Sequence, residues 1–246
     1  MNTKLIKILD EFFSLGGNHN KIKLIDVRNN LINFLRLEEI ILGEVDDKNF
    51  IIARDAIRVI DALIHYAETN DRITANRHVQ PFLERLIEIE QFEWSYSELK
   101  FLVIAIDYAE NIEQAVTLAD MAFHWFKYFG QSQNVDALLA VFATNFCSWL
   151  LYDKYCGERA TERSRTQFRE WYLRLEKLFM ADSQFELLYL VTRIRRAIYE
   201  NYDREMILQY YNELTERYDI SITDLVKHEI NATFVAGVVE RLFPSA

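Results

Sequence analysis

The chain of 246 residues is half apolar and 14% aromatic, and it contains only 6 Gly and 2 Pro. That composition excludes a disordered chain and a turn-rich β architecture, and it suits long helices joined by short loops. A formal charge of −10 excludes a wholesale nucleic-acid surface, because phosphate binding needs clustered cations.

Helical periodicity runs from end to end. Leu5, Ile8, Leu9, Phe12 and Phe13 predict a short first helix that stops at Gly16-Gly17. The charges at Lys4, Lys7, Asp10 and Glu11 make it amphipathic, unlike the core of a signal peptide. Ile22, Ile25, Leu31, Phe34, Leu35 and Ile41 predict a second helix ending near Gly43. Asp46 or Asp47 can cap a third, carrying Phe50, Ile51, Ala56, Ile60, Leu63 and Ile64 up to a polar break at Glu68 to Asp71. Thr74 then opens a fourth, with Pro81 inside it as a predicted kink.

The fifth helix starts from an unusually well-marked boundary, Trp94-Ser95-Tyr96-Ser97-Glu98-Leu99. Ser95 and Glu98 have the spacing of a capping box, and Trp94 before the cap faces Leu99 after it as a hydrophobic staple. This helix is expected to end near Glu110-Asn111. A sixth runs from Ile112 to Phe129 and stops at Gly130. Asn134 can cap a seventh, from Val135 to about Lys154. Phe168, Trp171, Tyr172, Leu175 and Phe179 mark the eighth. Asp182 or Ser183 opens the ninth, which reaches Tyr199. Asp203 opens the tenth, and Ser221 begins a last helical stretch through Leu242.

About eleven helices with short loops predict an all-α fold of antiparallel hairpins. The hairpins at 95–129 and 183–217 are each about 35 residues long, the size of a tetratricopeptide-like unit. The predicted architecture is therefore a degenerate tetratricopeptide-like α-solenoid, with a compact helical bundle as the alternative. No linker or low-complexity tract interrupts the sequence, so a single domain over 1–246 is expected. Within it lie N-terminal helices (1–43), repeat hairpins (44–217) and a C-terminal cap or dimerisation segment (218–246).

Chemistry-bearing motifs are missing. Cys147 and Cys156 lie outside Cys-x-x-Cys spacing and read as reduced thiols of a cytoplasmic protein. Cys147 sits between Phe146 and Trp149 with no base beside it, as a structural thiol does. The dense apolar run Phe101 to Ile106 is far shorter than the roughly 20 residues that cross a bilayer. His228-Glu229 begins like a zinc-protease helix, but Ala232 stands where the second ligand belongs. No metal, cofactor, phosphate loop or catalytic residue is expected, and the chain is read as a non-enzyme.

Charge and buried polarity are more informative. From Lys154 to Arg196 ten Lys and Arg oppose six Asp and Glu, a local +4 in an acidic chain. Most of these alternate in sign along a helix, as solvated ion pairs do. Arg193, Arg195 and Arg196 differ because they sit among Leu190, Val191, Ile194, Ala197 and Ile198. An arginine at the margin of an apolar face can hold a carboxylate in two-pronged geometry; inter-helix salt bridges are the alternative. Asn145 stands in a nearly apolar helix, Ala140 to Trp149. Its amide must find partners, either another helix or the backbone of an extended peptide.

The stretch Trp94, then Tyr96-Ser97-Glu98-Leu99 opening an apolar helix, resembles a Trp-x-x-Tyr-Glu-Leu stretch of the Rgg/MutR-type transcriptional regulators. Asn145 in a helix further on and the Lys177 to Tyr218 hairpin are similar to the same family, whose members sense short pheromone peptides. The resemblance covers most of the chain from about residue 20 onward. It implies a homodimeric tetratricopeptide-like array that binds a short hydrophobic peptide on its concave face, with Asn145 in the groove. The preceding groove position falls at Asp107 and Tyr108, where the family often carries an Asn-Arg pair, and Arg193 and Arg196 complete the expected peptide-binding set. Dimerisation is expected through the apolar segment Phe234 to Phe243. The family begins with a helix-turn-helix domain, whereas Met1 to Gly43 offers at most two helices and too few clustered cations. Direct nucleic-acid binding by this chain is therefore not expected. The alternative function is a helical scaffold that recognises a protein partner.

Overall fold

The computed structural model describes residues 2–15, 21–42, 48–69, 71–89, 94–131, 135–156, 161–200 and 204–218. Among them are ten α-helices and two short 3₁₀ turns, and no strand. The expected terminations at Gly16-Gly17 and Gly43, the caps at Asp46, Asp47, Asn134 and Asp203, and the C-terminal helix with its Phe234 to Phe243 segment lie outside the described residues.

The helices group into two compact units, residues 1–110 and 111–246. In the first unit, α1 (Thr3–Ser14), α2 (Lys21–Leu42), α3 (Lys48–Thr69), α4 (Arg72–Glu88) and α5 (Tyr96–Ala105) follow one another, and a 3₁₀ turn (Ile106–Tyr108) ends α5. α3 is the hub, packing on α1, α2, α4 and α5. Phe101 of α5 is the aromatic centre: its ring lies 6.2 Å from Phe12 and 6.2 Å from Phe82, and stacks on Phe13 at 5.3 Å. Burial of such rings stabilises the unit.

Two local readings are corrected. The fourth helix is capped by Asp71, whose carboxylate accepts from the Thr74 N–H at 3.1 Å, so Thr74 is already inside the first turn. Pro81 lies inside α4, where the sequence expects it. The fifth helix gives way to the 3₁₀ turn at Ile106, earlier than its apolar run suggests.

In the second unit α6 (Ile112–Phe129) packs on α7 (Asp136–Cys156). Helices α7, α8 (Glu162–Ala181) and α9 (Glu186–Tyr199) pack pairwise, and α10 (Arg204–Tyr218) closes on α9. Asp182 and a 3₁₀ turn (Ser183–Phe185) join α8 to α9. The core holds Trp171 against Phe142 at 4.8 Å and Phe168 stacked on Tyr199 at 4.4 Å. Gly130 ends α6 where a side chain has no room: a Cβ there would lie 2.9 Å from the Phe126 carbonyl oxygen. Among the described residues no helix is long and apolar enough to cross a membrane.

Candidate functional site

The polar residues of interest in the second unit lie where α7 meets α9. One side of α7 is fully committed to the core through Phe142, Ala143, Phe146 and Cys147. Leu138, Val141, Asn145 and Ser148 recur at helical spacing on the other side, and they keep partial or full exposure. Asn145 is thus half-buried on the boundary between core and solvent.

Beside it, Thr144 is buried and its hydroxyl donates to the Ala140 carbonyl at 2.9 Å within α7. Thr192 of α9 likewise donates to its own helix, to Leu188 O at 2.7 Å, and the two hydroxyl oxygens meet at 3.5 Å. Arg195, one turn further along α9, donates from Nη1 to the Thr144 carbonyl at 3.0 Å. That carbonyl belongs to the peptide unit joining Thr144 to Asn145, so a guanidinium stands directly at the asparagine backbone. Arginine suits this place because its planar guanidinium carries several N–H donors in a fixed fork.

The other two arginines turn elsewhere. Arg193 pairs with Glu213 of α10 and lies 4.2 Å over the Tyr210 ring. Arg196 pairs with Glu200 at 3.2 Å and lies 4.5 Å over the Tyr172 ring. Both pin α9 to its neighbours. The arginine adjoining Asn145 is Arg195, which sequence periodicity did not separate from the other two. No sequence signal separates it, because Arg195 and Arg196 lie three and four residues from Thr192 on the same side of the helix.

Asp107 and Tyr108 belong to the first unit, where both are buried. A polar stripe on α4, at four-residue spacing, holds their backbone. Arg72 donates to the Asp107 carbonyl, while Asn76 and Gln80 donate to the Tyr108 carbonyl at 2.8 and 3.0 Å. These side chains satisfy carbonyls that the end of α5 leaves without helical partners. Burial pushes the Tyr108 hydroxyl well above its usual range, and its oxygen has no hydrogen-bond partner among the described residues. Neither side chain is on the surface, so a peptide-facing role has no exposed group to act through.

The start of α5 has the capping-box geometry: Ser95 Oγ accepts from the Glu98 N–H at 3.3 Å, and Glu98 accepts from the Ser95 N–H at 2.5 Å. Trp94 is buried, and its indole N–H donates to the Leu86 carbonyl at 3.1 Å; Leu99 is fully buried. Glu98 has a second partner that the sequence did not announce. Arg85 of α4 donates to it at 2.7 Å and also to Asp55 of α3, which Arg58 holds at 2.9 Å. Burial raises the Asp55 carboxyl above its ordinary value, against the opposing pull of Arg85 and Arg58.

The described residues elsewhere offer little chemistry. The Cys147 thiol is fully buried 3.9 Å from the Phe168 carbonyl, and burial pushes it up to about 12. Among the described residues no group of three or more His, Cys, Asp or Glu is arranged to hold a metal ion. A shallow hollow on α10 is lined by Glu205, Leu208, Gln209, Asn212, Glu213 and Glu216. Its Glu213 already pairs with Arg193.

Compared with known proteins, the chain matches no family model, no curated sequence and no solved structure.

Proposed function

We propose that this chain is a peptide-binding regulatory domain that takes a short hydrophobic peptide along α7, with Asn145 clamping its backbone. The observation that carries the reading is a half-buried amide on a partly exposed apolar stripe, with the Arg195 guanidinium at its own peptide unit. An asparagine there can donate to one peptide carbonyl and accept from one N–H, and Leu138 and Val141 offer apolar contact for side chains. The resemblance to Rgg/MutR-type receptors supplies the ligand class, and the tetratricopeptide-like stacking of the hairpins belongs to the same proposal. Asp107, Tyr108, Arg193 and Arg196 are left out of this site, the first two because they are buried, Arg193 because it pairs with Glu213 of α10, and Arg196 because it pairs with Glu200 and covers the Tyr172 ring.

A fluorescein-labelled pool of short hydrophobic peptides, followed by anisotropy, tests it. Asn145→Ala is expected to weaken binding by about tenfold, the loss of one well-placed amide contact, with the melting temperature nearly unchanged. If the variant binds as wild type and melts much lower, Asn145 is an internal helix-packing residue and the reading fails.

A second reading, a scaffold for a protein partner, is favoured by one feature of α8. Leu173 and Met180 are 48% and 78% exposed, and Arg169 and Lys177 lie among the exposed residues of the same helix. An acidic protein surface with apolar residues would complement that face.

A further inference from the structure

His65 of α3 and His78 of α4 are thirteen positions apart in sequence, a spacing that suggests no motif. Antiparallel packing of the α3–α4 hairpin brings their rings to a centroid separation of 5.5 Å, tilted at 47°. His65 Nε2 is buried and has no hydrogen-bond partner among the described residues. A nitrogen in that state is unfavourable unless something meets its lone pair or its proton. His78 is exposed, so the pair opens to solvent on one side.

The separation is informative. With metal–nitrogen bonds of about 2.1 Å and a near-tetrahedral angle, two coordinated imidazole centres lie roughly 5 Å apart. Glu68 and Asp71 are both within electrostatic reach of His65 and add negative potential around it. Neither carboxylate is spare: Glu68 holds Lys21 at 2.6 Å, and Asp71 caps α4. A metal ion held here would have the two imidazoles as its protein ligands, with water completing the coordination sphere.

We propose that His65 and His78 chelate a divalent first-row transition-metal ion, clamping α3 to α4. Imidazole pairs of this kind favour the later metals, so affinity rises from Mn²⁺ through Co²⁺ and Ni²⁺ to Cu²⁺. An ion that binds only the folded hairpin raises the stability of the first unit by mass action. Because a ligating imidazole must be neutral, binding weakens in acid. This site is independent of the peptide reading, since it uses no residue of α7 or α9.

The test is titration of the tag-free full chain with NiCl₂ by calorimetry, paired with thermal melts. One equivalent is expected to bind, with affinity at least about tenfold lower in both His65→Ala and His78→Ala. Ni²⁺ is also expected to raise the melting temperature of wild type and of neither variant. Because His78 is exposed, His78→Ala keeps the fold whatever His65→Ala does. Wild-type affinity in His78→Ala overturns the proposal, as does the absence of binding to wild type.

Discussion

Glu98 holds two partners at once: the backbone at the start of its own helix and Arg85 of the helix before. Sequence spacing made the first visible, because a capping box is a local motif. The second needed the approach of α4, which no local pattern encodes. Removing the cap alone is the cleaner experiment, since Ser95 contributes to the α5 start without carrying a charge. Ser95→Ala is expected to destabilise the protein by about 0.5–2 kcal/mol in urea unfolding. No measurable loss would mean that Glu98 and Arg85 alone hold the helix start. Cys147 gives a chemical test at the same scale. A thiol held at about 12 carries on the order of 10³-fold less thiolate at neutral pH than an ordinary cysteine. Iodoacetamide is expected to leave Cys147 unmodified in the native protein and to label it once urea unfolds the chain, as read by peptide mass spectrometry. Rapid native labelling would mean that the α7–α8 packing opens readily.

At the scale of elements, the Asp55–Arg85–Glu98 network ties α3, α4 and the start of α5 together inside the first unit. Burying charge is unfavourable unless it is paired, and here each carboxylate is paired. Asp55 sets the pH behaviour. Its folded value is raised, chiefly by burial, so the folded state prefers the protonated form more than the unfolded chain does. The resulting stability is fully present below the unfolded value of about 3.9 and is lost as pH rises through the raised folded value. Asp55→Asn cannot titrate. The stability of wild type relative to Asp55→Asn is therefore expected to fall as pH rises above about 4, in urea titrations at several pH values. A difference that grows instead would mean that Arg85 and Arg58 outweigh burial. The polar stripe Arg72, Asn76 and Gln80 works at the same scale, holding the end of α5 through its carbonyls. Its four-residue spacing was legible in the sequence, but its target was not.

For the whole molecule, the two units each carry their own aromatic centre, Phe101 in one and Trp171 with Phe142 in the other. The sequence showed no boundary between them, because the short link at Ala109 to Asn111 contains no Gly or Pro and Asn111 caps the next helix, with its side chain accepting from Gln114 N–H at 2.9 Å. The candidate site was half legible. Asn145 stood out as an amide in an apolar run, a contrast that survives without coordinates. Asp107 and Tyr108 were placed by spacing within a resemblance, and spacing says nothing about which way a side chain is turned. Arg195 was one of three neighbouring arginines, and only the crossing of α9 over Thr144 selects it.

The sequence by itself determined the all-helical class, the helix starts marked by local caps and the apolar faces. These depend on interactions within a few residues: capping bonds, turn residues and the 3.6-residue period. Tertiary structure decided which charges are buried together, which arginine meets Asn145 and that His65 faces His78. Each of these joins residues from different helices, and their proximity is fixed by how the helices pack, which is a sum over many weak apolar contacts that no short stretch contains.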